Sequence, residues 1–127
     1  MYRDPHQVSA KASLASGALY VISVAARLVE LHPTTLRKYE RVGFLEPSRT
    51  PGRTRLYSRE DIRRLRQIKH LVDEREINLA GVHMALDLTE ALTEIANAID
   101  EAQDVVSLRR HVQAPLRAAF ATLGALE

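Results

Sequence analysis

The sequence predicts a mainly α-helical chain: a short helix pair with an arginine-rich β-hairpin, then a long C-terminal helix suited to pairing. Three observations carry this. Residues 22–62, ISVAARLVELHPTTLRKYERVGFLEPSRTPGRTRLYSREDI, alternate helical periodicity with turn residues. The same stretch concentrates positive charge. Further on, Leu88, Leu92, Ile95, Ile99, Ala102 and Val106 recur at spacings of 4, 3, 4, 3 and 4, a heptad seam.

Composition sets the bounds. A chain of 127 residues has room for one compact domain and one long appendage. It is 46% hydrophobic, with two Phe, four Tyr and no Trp, so its core is aliphatic. With no cysteine there is no disulfide, thiolate metal site or thiol switch. No apolar run approaches the roughly 20 residues of a membrane span. Residues 1–18 are polar and rich in small side chains without a hydrophobic signal core, so a disordered arm and a cytoplasmic, nucleoid-associated protein are expected.

The net charge of +2 conceals an asymmetry. From Arg27 to Lys69 there are 12 Lys and Arg against 5 Asp and Glu, or +7; from Leu71 to Glu127 the count is 4 against 10, or −6. A basic block followed by an acidic one implies a polyanion-facing module and a second part kept off nucleic acid.

The elements follow from local chemistry. Tyr20-Val21-Ile22 is a β-prone entry. Ser23 caps VAARLVEL, with Val24, Leu28 and Leu31 expected inward. Pro33 suits the first position of a second helix, and Gly43 its left-handed stop. FLEPSRTPGRTRLY, with Pro and Gly central and apolar or aromatic ends, reads as a hairpin. Ser58 and Asp61 form a capping box for a third helix, with Ile62, Leu65, Ile68 and Leu71 on one face. Asn78 caps a fourth, LAGVHMALDL. Beyond it the narrow apolar stripe of the seam suits pairing with another helix, antiparallel with its copy in a homodimer. Ala102 makes this coil of nearly three heptads marginal, so heating is expected to loosen it. Pro115 is expected to limit the helix. The predicted division is an arm at 1–18, a DNA-binding domain at 19–88, and a coiled-coil dimerisation helix with a C-terminal segment at 89–127.

A helix pair followed by a basic hairpin is shaped for the grooves of double-stranded DNA. On α-helical phase, Arg37, Lys38 and Arg41 are exposed if Leu36 and Val42 face inward. Arginine makes the bidentate contact to guanine, and Lys38 reaches a base or a phosphate. Thr34 and Thr35 stand at the helix N-terminus, where N–H groups and the dipole favour phosphate. Arg49, Arg53 and Arg55 suit phosphates or a narrow minor groove. Glu40 is expected to bridge to an arginine and make no DNA contact.

YVISVAA, HPTTLRKYERVGFLEPSRT, the wing ending RLYS, EDI and INLAGV resemble the MerR family of winged helix-turn-helix regulators over residues 19–88, most strongly its heat-shock repressor (HspR) subfamily. The resemblance implies a dimeric repressor of chaperone and protease genes on an inverted-repeat operator, with a DnaK-type chaperone as a possible co-repressor. Tyr39 matches the family aromatic whose hydroxyl contacts the DNA backbone, with packing beside the first helix equally open. Tyr57 matches the tyrosine at the wing's end, either core or backbone contact. Two positions depart from the family. Glu30 stands where Gly is usual, at a cost of about 1–2 kcal/mol if φ is positive. Arg53-Thr54 replaces a glycine-rich wing tip.

Chemistry outside DNA binding finds little support. The five histidines are scattered, without the i,i+4 spacing of a metal site. No Ser/His/Asp grouping or phosphate-cradling glycine loop occurs, so no enzyme activity, cofactor or metal is expected. Two other functions remain: a small-molecule-responsive activator, disfavoured by the absence of cysteine and the single aromatic beyond Tyr57, and a helical adaptor whose basic patch binds an acidic protein.

Overall fold

The computed structural model describes residues 17–125, so most of the expected N-terminal arm lies outside the described residues. The chain divides after Arg75 into two compact units.

In the first unit, strand β1 (Tyr20–Val21) runs straight into helix α1 (Ile22–Val29), followed by α2 (Pro33–Arg41), β2 (Ser48–Arg49), β3 (Arg55–Tyr57) and α3 (Arg59–Lys69). The strands form an antiparallel sheet in the order β1-β3-β2. Tyr20 pairs with Tyr57, Val21 with Leu56, and Arg49 with Arg55. Leu19, Leu36, Phe44, Tyr57, Leu65 and Ile68 are the largest fully buried side chains of this unit. Ala18, at the edge of the expected arm, is itself buried.

α1 departs from its expected phase. It is capped by the extended Val21 without a side-chain bond, and it buries Ala25, Ala26 and Val29. Leu28 is 42% exposed. Ala25, Ala26 and Val29 share one face of the helix, and the small alanines allow closer packing there than Val24 and Leu28 would.

Glu30 ends α1 in the left-handed region, at φ 58° and ψ 47°. Its N–H donates to the Arg27 carbonyl, and that of Leu31 to the Ala26 carbonyl. The Lys69 ammonium, from α3, closes this end by donating to the carbonyls of Val29 (3.2 Å) and Glu30 (3.4 Å). Glu30→Gly is expected to raise stability by about 0.5–1 kcal/mol, since relief of left-handed strain exceeds the added freedom of the unfolded chain. The exposed Glu30–Lys69 pair, at 3.8 Å, offsets little of this. Urea unfolding checks it, and a less stable glycine variant contradicts the strain.

The other caps follow the sequence. His32 Nδ1 accepts from the Thr34 N–H at the start of α2, Pro33 holds its first position, and Gly43 follows its end at φ 88°. Ser58 and Asp61 form the reciprocal capping box of α3. α3 then widens into a π-helical turn, His70–Glu74.

The second unit is a helical hairpin of α4 (Leu79–Glu101) and α5 (Val105–Thr122). Asn78 caps α4 as expected, but the helix runs past residue 88 to Glu101, so the expected boundary falls inside it. The heptad seam is not continuous. Ala102 is the extended C-cap of α4 at ψ 135°, Asp104 caps α5 through the Ser107 N–H, and Val106 belongs to α5. Leu88, Leu92, Ile95 and Ile99 remain on one helix; Leu92 is 62% and Ile99 57% exposed, while Leu88 and Ile95 are half-buried. Pro115 does not limit the helix: it lies buried inside α5, which continues through it without that residue's backbone hydrogen bond. Among the described residues no helix is long and apolar enough to cross a membrane.

Candidate nucleic-acid interface

The amphipathic phase of α2 sorts its side chains. Leu36 and Tyr39 are buried, whereas Thr34, Arg37, Lys38 and Arg41 are exposed and Thr35 half-buried. Three cations therefore project from one nine-residue helix. At its N-terminus two of the amide donors expected to face phosphate are already used. The Thr34 N–H donates to His32 Nδ1 at 3.0 Å, and the Thr35 N–H to the His32 carbonyl at 2.9 Å. What Thr34 and Thr35 offer an anion is their hydroxyls and the helix dipole.

The β2–β3 hairpin is closed by the Thr50 N–H donating to the Thr54 carbonyl and the Arg53 N–H to the Thr50 carbonyl. Arg53 adopts a left-handed conformation, φ 71°, at this tip and is exposed. Directly opposed across the ladder, Arg49 and Arg55 point to the same neighbour. Glu40 Oε1 accepts from Arg55 Nε at 2.5 Å, and Oε2 accepts from Arg49 Nη2 at 2.8 Å. Burial pushes the Glu40 carboxyl up, but the bonds and charges of Arg55 and Arg49 outweigh it and hold it below the usual carboxylate value. The bridging role expected of Glu40 is present and doubled. Arg49 and Arg55 are consequently tied to α2, with about a third of each side chain still exposed.

The tyrosines are core residues. Tyr39 is 6% exposed, its ring tilted against Phe44 at 5.6 Å. Tyr57 is fully buried, and its hydroxyl has no hydrogen-bond partner among the described residues. Of the readings left open, packing fits both rings. Burial pushes the Tyr57 hydroxyl up to about 12, with the Glu40 charge adding to the shift. A raised tyrosine favours the neutral form in the folded state, so its contribution is intact below about pH 10 and is lost as pH rises through about 12. Tyr57→Phe is expected to leave DNA binding unchanged, to match or exceed wild-type stability by about 1 kcal/mol, and to lack this alkaline loss. Unfolding curves at neutral pH and above pH 10 check it; a variant that loses DNA affinity while folded restores the contact role.

Sequence reasoning missed Lys69, whose reach to the end of α1 spans 39–40 residues. It also missed the Arg49–Glu40–Arg55 triad as a unit, because it depends on a hairpin register no local pattern specifies.

A helix bearing three exposed cations beside an arginine-rich hairpin has the dimensions and charge to enter a major groove while the hairpin meets the flanking backbone. Comparison with known proteins agrees. Residues 20–89 match the family model described as MerR HTH family regulatory protein. A Streptomyces coelicolor protein, HspR, described as a heat shock protein, is 49% identical over 77 residues, covering 61% of this chain and 51% of its own length. The transcriptional regulator GlnR of Bacillus anthracis is 32% identical over 90 residues, 71% of this chain and 69% of GlnR. The regulator MlrA of Escherichia coli is 46% identical over 70 residues, 54% of this chain and 28% of MlrA. The matched stretch thus spans about half of HspR, and little more than a quarter of MlrA.

Proposed function

Because the chain belongs to the MerR HTH family of transcriptional regulators, we propose that it is a repressor of heat-shock and chaperone genes, acting as a homodimer on an inverted-repeat operator. The observation that carries the DNA-binding part is the exposed Arg37, Lys38 and Arg41 set on α2 beside the wing that Glu40 pins. The 49% identity to HspR supports heat-shock genes as the target. In this reading α2 reads bases in the major groove, Arg53 meets phosphate from the wing tip, and the apolar residues of α4 pair the protomers. A DnaK-type chaperone acts as co-repressor. No small ligand is required, in keeping with a chain without cysteine whose sole aromatic beyond Tyr57 is Phe120.

Deleting the gene and following chaperone transcripts at growth temperature tests the proposal. Repression predicts that they rise without heat shock; unchanged or lower transcripts favour a ligand-responsive activator. Within the interface, Arg37→Ala is expected to cost roughly 1–3 kcal/mol on the preferred duplex and to relax preference at one base pair. Selection from a random-sequence library followed by titration measures both. A uniform loss over all sequences reassigns Arg37 to phosphate.

A further inference from the structure

Glu40 stands on the recognition helix, yet both of its carboxylate oxygens point at the hairpin. Oε1 is taken by Arg55 and Oε2 by Arg49. Arg49 also donates through Nη1 to the Arg53 carbonyl at 3.3 Å, so a continuous chain of bonds runs from α2 to the wing tip. The Glu40 side chain is 20% exposed, and those of Arg49 and Arg55 are 32% and 28% exposed. This is a charge-assisted pair of contacts in a half-shielded setting, where such bonds outweigh those at a freely solvated surface. Two guanidinium charges joined to one carboxylate leave a net +1, where two free arginines would present +2 to any phosphate.

Resting on the DNA-binding reading above, we infer that Glu40 is a positioning residue. It fixes the wing's angle against α2 and withholds Arg49 and Arg55 from indiscriminate phosphate contact, trading affinity for discrimination. Phosphate attraction is independent of sequence, whereas base readout demands that helix and wing meet the duplex in one fixed geometry. A latch that restrains two wing arginines lowers the first and enforces the second. Its own carboxylate near the duplex adds repulsion unless both arginines remain on it.

The test compares wild type with Glu40→Gln and Arg55→Lys. The probes are the duplex that wild type enriches from a random-sequence library and one mixed-sequence duplex. Glu40→Gln is expected to bind the mixed duplex several-fold more tightly and to steepen its salt slope by about one unit. Its preference for the enriched duplex is expected to shrink by roughly tenfold. Arg55→Lys keeps the charge but loses the Nε–H donor, so it is expected to lose discrimination without steepening the slope. Independently of DNA, the Arg55 Nε–H resonance of wild type is expected to exchange more slowly than that of Arg53. Equal exchange of the two overturns the inference even if Glu40→Gln fails to fold. So does an unchanged preference in a folded Glu40→Gln protein. Wild-type protein that ignores duplex DNA at every salt concentration overturns the DNA-binding reading, and the inference with it.

Discussion

Replacing Leu92 and Ile99 together with Asp is expected to leave each protomer folded while converting the proposed dimer to monomer and weakening binding to the proposed operator about a hundredfold or more. Both side chains are more than half exposed on α4, so neither substitution opens a cavity within the protomer. In the proposed dimer four such side chains leave water, each worth about 1.5–3 kcal/mol on full burial. Aspartates in their place would enter an apolar contact unpaired, within a segment that already carries −6 from Leu71 to Glu127. The expected loss of affinity comes from ending simultaneous engagement of two half-sites, an advantage of roughly 10²–10⁴. Sedimentation, circular dichroism and duplex titration report the three effects separately. A variant that sediments as a dimer removes this face of α4 from the interface.

The largest effect on stability is expected at Phe44. Its side chain is fully buried, with its ring against that of Tyr39, just past the end of α2. Phe44→Ala removes that contact and leaves a void, at a cost of about 3–5 kcal/mol. Against a typical total of about 5–15 kcal/mol, that removes between roughly a fifth and all of the protein's stability and lowers its unfolding temperature accordingly. Loss of duplex binding should follow unfolding, and binding should return at lower temperature where the variant folds. Denaturant titration measures the cost, and a value below about 1 kcal/mol contradicts the packing.

Where local chemistry decides a boundary, the sequence was readable. Pro33 and Gly43 bound α2, Ser58 and Asp61 open α3, and Asn78 opens α4, because each satisfies an orphan amide group, removes one, or supplies a left-handed φ within a few residues. The exposed set on α2 was readable for the same reason: Leu36 fixes the phase for Arg37, Lys38 and Arg41. Periodicity misled where it was extrapolated. The heptad spacing runs on through Ala102 and Val106, but Asp104 offers a cap in its midst, and the chain turns there. Proline at 115 suggested an end, yet the helix absorbs it. The tyrosines were undecidable from sequence because their rings suit a core and their hydroxyls suit a phosphate. The Glu40 triad needed the pairing of Arg49 with Arg55, which belongs to the register of a hairpin and not to either strand.

The Lys69 bonds to the carbonyls of Val29 and Glu30 bear on how the protein is made. α1 is finished by a side chain that lies 39–40 residues downstream. On a ribosome adding about 5–20 residues per second, the helix pair therefore waits roughly 2–8 s for its own clasp. Until α3 leaves the exit tunnel, α1 lacks the helix that packs against it. A nascent chain halted before Arg59 is thus expected to be protease-sensitive and open to chaperones, and one released beyond Lys69 to resist. The length of that exposed interval is set by the distance in sequence between a turn and the lysine that closes it.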